Sequence, residues 1–320
     1  MKEELPFVSV CTPTFNRRPF IPFIKRCFLE QDYPQERMEW IVVDDGTDKV
    51  RDLFTDIPNV KYFSLDEKMK LGKKRNYMHT KCSGDIIVYM DDDDYYPPER
   101  VSHAVERLQS DDKVLCSGSS EVYVWFHKLE KMYRFGPYSK THATAGTFAF
   151  KKELLEITSY EDDTSMAEEK HFLKNYTIPF IQLDPLKTIL VFSHSQNTYD
   201  KSKLLQGSEN NPMLNESVLR ANDFISNEEL RKFYTSQLHE HIEGYELGEL
   251  KYKPDVVEQT KKIEEMRRSR VQERFLVRKN EDGTETRMTL EDIVKYVNVL
   301  KQEIVKRNAI INQLLQKNIT

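Results

Sequence analysis

The residues best equipped for chemistry in this chain are carboxylates. The stretch GDIIVYMDDDDYYPPER, Gly84 to Arg100, ends an apolar run in four consecutive aspartates, Asp91 to Asp94. Four like charges side by side repel one another, and without a counter-cation such a cluster is destabilising. A hard divalent ion, Mg²⁺ or Mn²⁺, resolves the conflict, because it prefers oxygen ligands and completes its shell with substrate phosphates. The plain alternative is a solvated acidic turn, and the buried strand directly before the run argues against it. A second acidic pair, Asp44-Asp45, ends the apolar stretch Glu39-Trp40-Ile41-Val42-Val43 and is followed by Gly46, which permits a tight turn. A carboxylate there can accept a hydrogen bond from a base N–H or a ribose hydroxyl.

Both acidic turns need strands to carry them. The first hundred residues alternate short apolar runs with helix-period segments, the pattern of successive βαβ units and a largely parallel sheet. Strands are expected at Phe7 to Thr12, Glu39 to Val43, Asn59 to Ser64 and Asp85 to Met90. Helices are expected at Pro19 to Glu30, Gly72 to Cys82 and Pro98 to Gln109. In open parallel sheets the ligand crevice lies at the carboxyl ends of the strands, so the polar turns should converge. From Val114 to about Thr198 the pattern is mixed. Glu121 to Lys128 and Lys131 to Phe135 read as antiparallel strands, Ala145 to Phe150 and Leu186 to Phe192 as further strands, and Met166 to Asn175 as a helix.

Beyond a linker-like stretch at Gln206 to Asn215 the chain becomes charged and helical. Helices are expected at Asn227 to Ile242 and Asp255 to Gln272, and a β-hairpin at Arg274 to Met288 around Asp282-Gly283. Thr289, three residues before Asp292, has the form of an N-cap for a last helix. In that helix Leu290, Val297, Ile304 and Ile311 share one heptad position, and Ile293, Leu300, Arg307 and Leu314 the next. Apart from Arg307 this is a coiled-coil seam of the kind that favours two parallel strands, with packing on its own domain as the alternative. The expected organisation is a catalytic domain over 1–210, a helical linker region over 211–272, and a hairpin plus coiled-coil helix for homo-oligomerisation over 273–320.

Composition bounds what these parts can be. Of 320 residues, 38% are hydrophobic and 32% charged, and the mean hydropathy is -0.67. No run approaches the roughly 18 to 20 apolar residues of a bilayer-spanning helix, and the opening alternates like a strand where a secretory signal would be uniformly apolar. The expectation is a soluble, cytoplasmic protein with no transmembrane segment. Four dispersed cysteines offer no zinc or redox spacing. A net charge of -5 argues against nucleic acid as the main partner. No Gly-rich phosphate loop is present, which disfavours kinases and nicotinamide enzymes. His239-Glu240-His241 is a weak metal motif, since residues two apart on a helix do not face each other. Lys70, Lys73 and Lys74 read as a solvated basic face.

The order VSV-x-TPTFNR, WIVVDDGT, G-x-x-RN at Gly72 to Asn76, and GDIIVYMDDDD closely resembles the inverting family 2 glycosyltransferases. These have the GT-A fold, a Rossmann-like α/β nucleotide-diphosphosugar transferase with a mixed sheet, and occur in bacteria and large DNA viruses. The resemblance covers about residues 6 to 200, leaving the C-terminal helical extension outside it. It implies a metal-dependent transfer of a sugar from a nucleotide-diphosphate donor, a UDP-sugar foremost, to a hydroxyl of a glycan or other acceptor. For a viral chain, the compartment would be the host cytoplasm.

Carried over residue by residue, the resemblance places Thr12 and Phe15 against the nucleotide base, Asp45 on the base N–H, and Arg75 near the base or phosphates. Asp91 and Asp93 stand as the DxD pair. Asp93 is the first choice as metal ligand, with Asp91 also a candidate, and Asp92 or Asp91 lies nearer the ribose. The extra Asp94 leaves open which of the four meets the metal. Glu169 takes the position of the base that deprotonates the acceptor, above Phe172, with Glu168 as its rival. His194 is a candidate third ligand for Mn²⁺, and Lys201 and Lys203 are candidate partners of the diphosphate. Two other functions use the same residues: a sugar nucleotidyltransferase, which releases pyrophosphate, and a non-catalytic oligomeric scaffold built on a degenerate transferase domain.

Overall fold

A computed structural model describes residues 5–166, 169–205, 211–272, 276–280 and 283–317. Expected Glu168 and Asp282 lie outside these residues. The strands in chain order are β1 (Val8–Thr14), β2 (Met38–Asp44), β3 (Val60–Ser64), β4 (Ile86–Tyr89), β5 (Cys116–Gly118), β6 (Val122–Phe126), β7 (Lys131–Phe135), β8 (Ala149–Lys151), β9 (Phe180–Gln182), β10 (Leu190–Ser193) and β11 (Leu214–Glu216). Their sheets are ordered β3-β2-β1-β4-β8-β5-β9 and β10-β6-β7-β11. The β3-β2-β1-β4 half is parallel, and β8 joins it antiparallel. This is the mixed α/β sheet that the alternating pattern predicts, with β6 and β7 antiparallel as expected.

The helices α1 (Ile21–Leu29), α2 (Leu71–His79) and α3 (Arg100–Gln109) connect the first strands. Each obeys local rules. Pro22 opens α1, where its missing N–H costs no hydrogen bond. In α3, Val101, Ala104, Val105 and Leu108 recur at helical spacing, and all are buried. β1 and β2 are buried along nearly their whole length, as strands covered on both faces must be. Phe28 of α1 stacks on Trp40 of β2 with ring centroids 4.6 Å apart, a pair worth about 0.5–1.5 kcal/mol beyond its buried area.

Three local expectations change. The strand expected from Ala145 is a 3-10 turn, Ala145–Thr147, before β8 begins. The long helix expected from Met166 shrinks, among the described residues, to α4 (Glu169–Phe172). Left-handed backbone at Lys174, Asn175 and Tyr176 ends it. The third concerns the chain after 210, which continues in the same compact unit.

One compact unit spans Met1–Gln259 and a second spans Thr260–Thr320. β11 completes the second sheet beside β7. Two short helices follow, α5 (Glu228–Lys232) and α6 (Leu238–Ile242), joined by a π-turn at Phe233–Gln237. Leu230, Phe233, Tyr234, Leu238 and Ile242 are buried in the same apolar cluster as Phe20, Ile24 and Phe28. The charge of this region masks an apolar stripe that α1 helps to cover within the same unit.

The helix α7 (Pro254–Gln272) begins in the first unit. In the second, β12 (Leu276–Lys279) and β13 (Glu285–Met288) form the expected hairpin, and α8 (Leu290–Lys317) follows. Thr289 and Asp292 cap α8 reciprocally: Thr289 N–H donates to Asp292 Oδ2 at 3.0 Å, and Asp292 N–H to Thr289 Oγ1 at 3.2 Å. No helix among the described residues is long and apolar enough to cross a membrane.

Candidate active site

β1, β2 and β4 deliver their polar ends to one side of the sheet, because parallel strands all run out in the same direction. There an open cleft of about 150 Å³ is lined by Phe15, Arg17, Arg75, Asp91, Asp92 and Asp93. It is also lined by Lys68, Lys74, Ser165, Lys253 and Asp255.

The four aspartates divide. Asp94 turns away from the cleft and accepts the N–H of Phe192 in β10 at 3.0 Å. Burial, then the charge of Asp93, pushes its carboxyl well above the usual range. Asp91, Asp92 and Asp93 line the cleft. Arg17, in the loop after β1, reaches Asp92 Oδ1 from Nε at 3.5 Å and Asp93 Oδ2 from Nη2 at 3.2 Å. Burial raises the Asp92 carboxyl to about 7, with Arg17 pulling it down and Asp93 pushing it up. Burial also opposes ionisation of Asp93, yet Arg17 and His194 together hold it well below the usual range. The charge conflict written into the sequence is therefore met partly by the chain's own cations and partly by a carboxyl that favours its neutral form.

His194 stands behind Asp93. Its Nδ1 accepts the Gln196 N–H at 3.2 Å, and its Nε2 lies 2.8 Å from Asn197 Nδ2 and 3.2 Å from Asp93 Oδ2. Burial lowers its pKa to about 4, opposed by Asp93. Its ring is buried between Asp93 and Phe20, and it orients the carboxylate from behind. Among the described residues no group of three or more His, Cys, Asp or Glu is arranged to hold a metal. Asp91 and Asp93 still offer hard oxygen donors on one wall. Asp91 is 29% exposed, and both contacts of Asp93 fall on Oδ2.

The residues expected around the nucleotide separate likewise. Phe15 lines the cleft, with the Lys68 ammonium 5.2 Å from its ring centre. Thr12 does not reach it: its hydroxyl donates to the Met90 carbonyl at 2.7 Å and accepts the Trp40 indole N–H at 2.8 Å. Asp45 is covered by an ion pair with Lys74 and accepts the Met69 N–H at 2.7 Å. Lys74, expected on a solvated face, is buried, and burial lowers its pKa against the pull of Asp45. Arg75 lies flat against Tyr89, 4.5 Å from the ring centre, with Nη2 3.9 Å from Asp91 Oδ1.

Glu169 begins α4 and accepts the Ala145 N–H at 3.2 Å. The next residue, Gly146, packs on Asp91 so closely that an added Cβ would stand 2.8 Å from Asp91 Oδ2. One turn thus links the expected base to the acidic run. Phe172 stacks on Tyr160 below, with centroids 4.3 Å apart. Lys201 and Lys203 do not line the cleft.

Sequence reasoning missed Arg17, Lys68, Ser165, Lys253 and Asp255. Arg17 lies inside the quoted TPTFNR motif and was legible there. Lys253 and Asp255 carried no local signal, because the region around them reads as a charged helix.

Residues 9–160 match the family described as glycosyl transferase family 2. The chain is 24% identical over 184 residues to a glucosyl-dolichyl phosphate glucuronosyltransferase of Haloferax volcanii, covering 51% of this chain and 58% of that protein. It is 30% identical over 101 residues to the poly(ribitol-phosphate) beta-N-acetylglucosaminyltransferase TarS of Staphylococcus aureus, covering 30% of this chain and 18% of TarS. A solved mannosyltransferase of Pyrobaculum calidifontis, in complex with GDP-Man and Mn²⁺, superposes with a TM-score of 0.49 at 20% identity over 64% of this chain and 65% of that one. Residues 9–160, which carry β2 to β8, nearly all of β1 and both acidic strand ends, are thus similar to glycosyl transferase family 2.

Proposed function

We propose that the chain is an inverting glycosyltransferase that moves a sugar from a nucleotide-diphosphate donor, a UDP-sugar, to an acceptor hydroxyl. The observation that carries this is the mixed charge of one cleft: Asp91 and Asp93 line it together with Arg17, Lys68, Arg75 and Lys253. A nucleotide with two phosphates needs cations on both sides, and a wholly acidic or wholly basic cleft would not serve it. Phe15 offers a flat apolar surface to the base. Asp91 and Asp93 would hold a divalent ion, Mn²⁺ or Mg²⁺, which when bound supplies Lewis-acid charge to the diphosphate.

Glu169 is the proposed base, held through Ala145 next to Asp91. In an in-line displacement the acceptor oxygen bonds to the anomeric carbon as the bond to the diphosphate oxygen breaks. The acceptor proton passes to Glu169, and the nucleoside diphosphate leaves. His194 and Arg17 keep Asp93 ionised and oriented, and Asp94 ties the acidic turn to β10.

Incubation with a panel of nucleotide sugars and Mn²⁺, reading free nucleoside diphosphate, tests the proposal. Release of UDP, lost in D93A and with chelator, is expected. Formation of nucleoside triphosphate and sugar 1-phosphate when pyrophosphate is added would point to a nucleotidyltransferase, and no turnover of any donor to the scaffold.

We also propose that α8 pairs with α8 of a second copy. Val297, Ile304 and Ile311 recur every seven residues and stand 41%, 57% and 51% exposed, which favours burial against a like helix. Light scattering should give a dimer that I304E reduces to a monomer; a wild-type monomer would refute the pairing.

A further inference from the structure

The cations of the cleft are not equally committed. Arg17 is paired with Asp92 and Asp93, Lys74 with Asp45, and Lys68 with Asp255 at 2.6 Å. Lys253 has no such partner among the described residues. It is 4% exposed, and its ammonium donates to the Gln196 carbonyl at 3.4 Å. A buried ammonium with one long contact to a neutral oxygen is unfavourable unless an anion completes its surroundings. Burial, with Arg17 adding to it, lowers its pKa to about 7, while Asp92 and Asp93 pull the other way.

The backbone around Lys253 is fixed from two sides. Asp255, two residues on, accepts from Lys68 at 2.6 Å and from the Ser165 hydroxyl at 2.9 Å. Gln259, one turn further along α7, accepts the Ser165 N–H at 2.5 Å and donates to the Met166 carbonyl at 3.1 Å. The start of α7 is thereby pinned to the segment that leads into α4 and Glu169. Lys253 is held over the cleft on a rigid element, as a group that must meet a ligand should be.

We propose that Lys253 receives the diphosphate of the donor, neutralising the charge that builds on the leaving group. This rests on the nucleotide-sugar reading of the cleft. It gives the C-terminal quarter of the chain a direct part in substrate binding, and it makes Lys253 a contact to phosphate that is independent of the metal ligands.

Calorimetric titration of the full chain with UDP, UMP and inorganic pyrophosphate, each with Mn²⁺, tests it. K253M should weaken UDP and pyrophosphate by about tenfold or more, as the loss of a charged hydrogen bond does, and UMP by less than about threefold. K253R should stay within about threefold of wild type for all three. A second arm uses the unaltered protein: saturating UDP should slow acetylation of Lys253, read by mass spectrometry, by about fivefold or more, as expected where bound ligand shields the amine. Unchanged UDP and pyrophosphate affinity in a K253M protein that melts with the wild type, or unchanged acetylation, would overturn the assignment. Pyrophosphate binding that depends on Lys253, in a chain that binds no nucleoside diphosphate, would uphold the anion site while refuting the nucleotide-sugar reading.

Discussion

Arg17 Nη2 lies 3.2 Å from Asp93 Oδ2, so the cation closest to the acidic turn comes from the loop after β1. The pair is almost closed to solvent, with side-chain exposures of 5% and 15%. Removing one member of a buried pair leaves the other uncompensated, at a cost of about 3–5 kcal/mol.

R17A should therefore lower unfolding free energy by about 3 kcal/mol in urea titration, and R17A/D92N should recover part of that loss. Additive losses in the double mutant would show that Arg17 does not act through the aspartates.

Glu169 gives a cleaner kinetic separation. E169Q keeps an acceptor for the Ala145 N–H but cannot take a proton, so the melting temperature should hold while kcat falls by about 10²–10⁴. Affinity for UDP should not change. A kcat close to wild type would remove Glu169 as the base.

Gly72 is the second residue of α2, the helix that carries Lys74 and Arg75. Its N–H donates to the Thr164 carbonyl at 2.9 Å, and a Cβ there would stand 2.0 Å from the Glu161 carbonyl oxygen. G72A must push backbone from backbone, so a loss of about 1–3 kcal/mol is expected, together with weaker UDP binding. Calorimetric melting and UDP titration check both; a variant that melts with the wild type would mean that the 161–164 loop yields freely.

His79 supplies a pH dependence away from the cleft. Its Nε2 is 2.6 Å from Tyr89 Oη, and burial, with Arg75 adding to it, lowers its pKa from 6.5 to about 3. Between those values the unfolded chain binds a proton that the folded chain refuses. Stability contributed by the neutral ring is whole above about pH 6.5 and is lost as pH falls toward 3, by at most about 1.4 kcal/mol per unit. H79Q should flatten the fall in melting temperature between about pH 7 and 5. Parallel curves for variant and wild type would assign the fall to other groups.

What could be read locally was the scaffold. Strands β1, β2 and β4 are short apolar runs that stop at acidic turns, and periodicity is a property of neighbouring residues. The Thr289–Asp292 cap is equally local, and α8 begins where it predicts. The motif glycine Gly72 was visible as a letter, but its reason, a carbonyl contributed by the 161–164 loop, was not.

By itself, the sequence determined that acidic residues would gather at the ends of parallel strands, and which family the first half resembles. Only the tertiary structure decided which acids face the cleft. Asp94 is drawn inward by the Phe192 N–H, Asp45 is covered by Lys74, and His194 is set behind Asp93. It also decided that the first compact unit runs to Gln259 and that Lys253 and Asp255 line the cleft. The physical reason is the range of the forces concerned: hydrophobic alternation is written within a few residues, whereas the partner of a buried charge is whichever group the folded chain brings within about 4 Å, however distant in sequence.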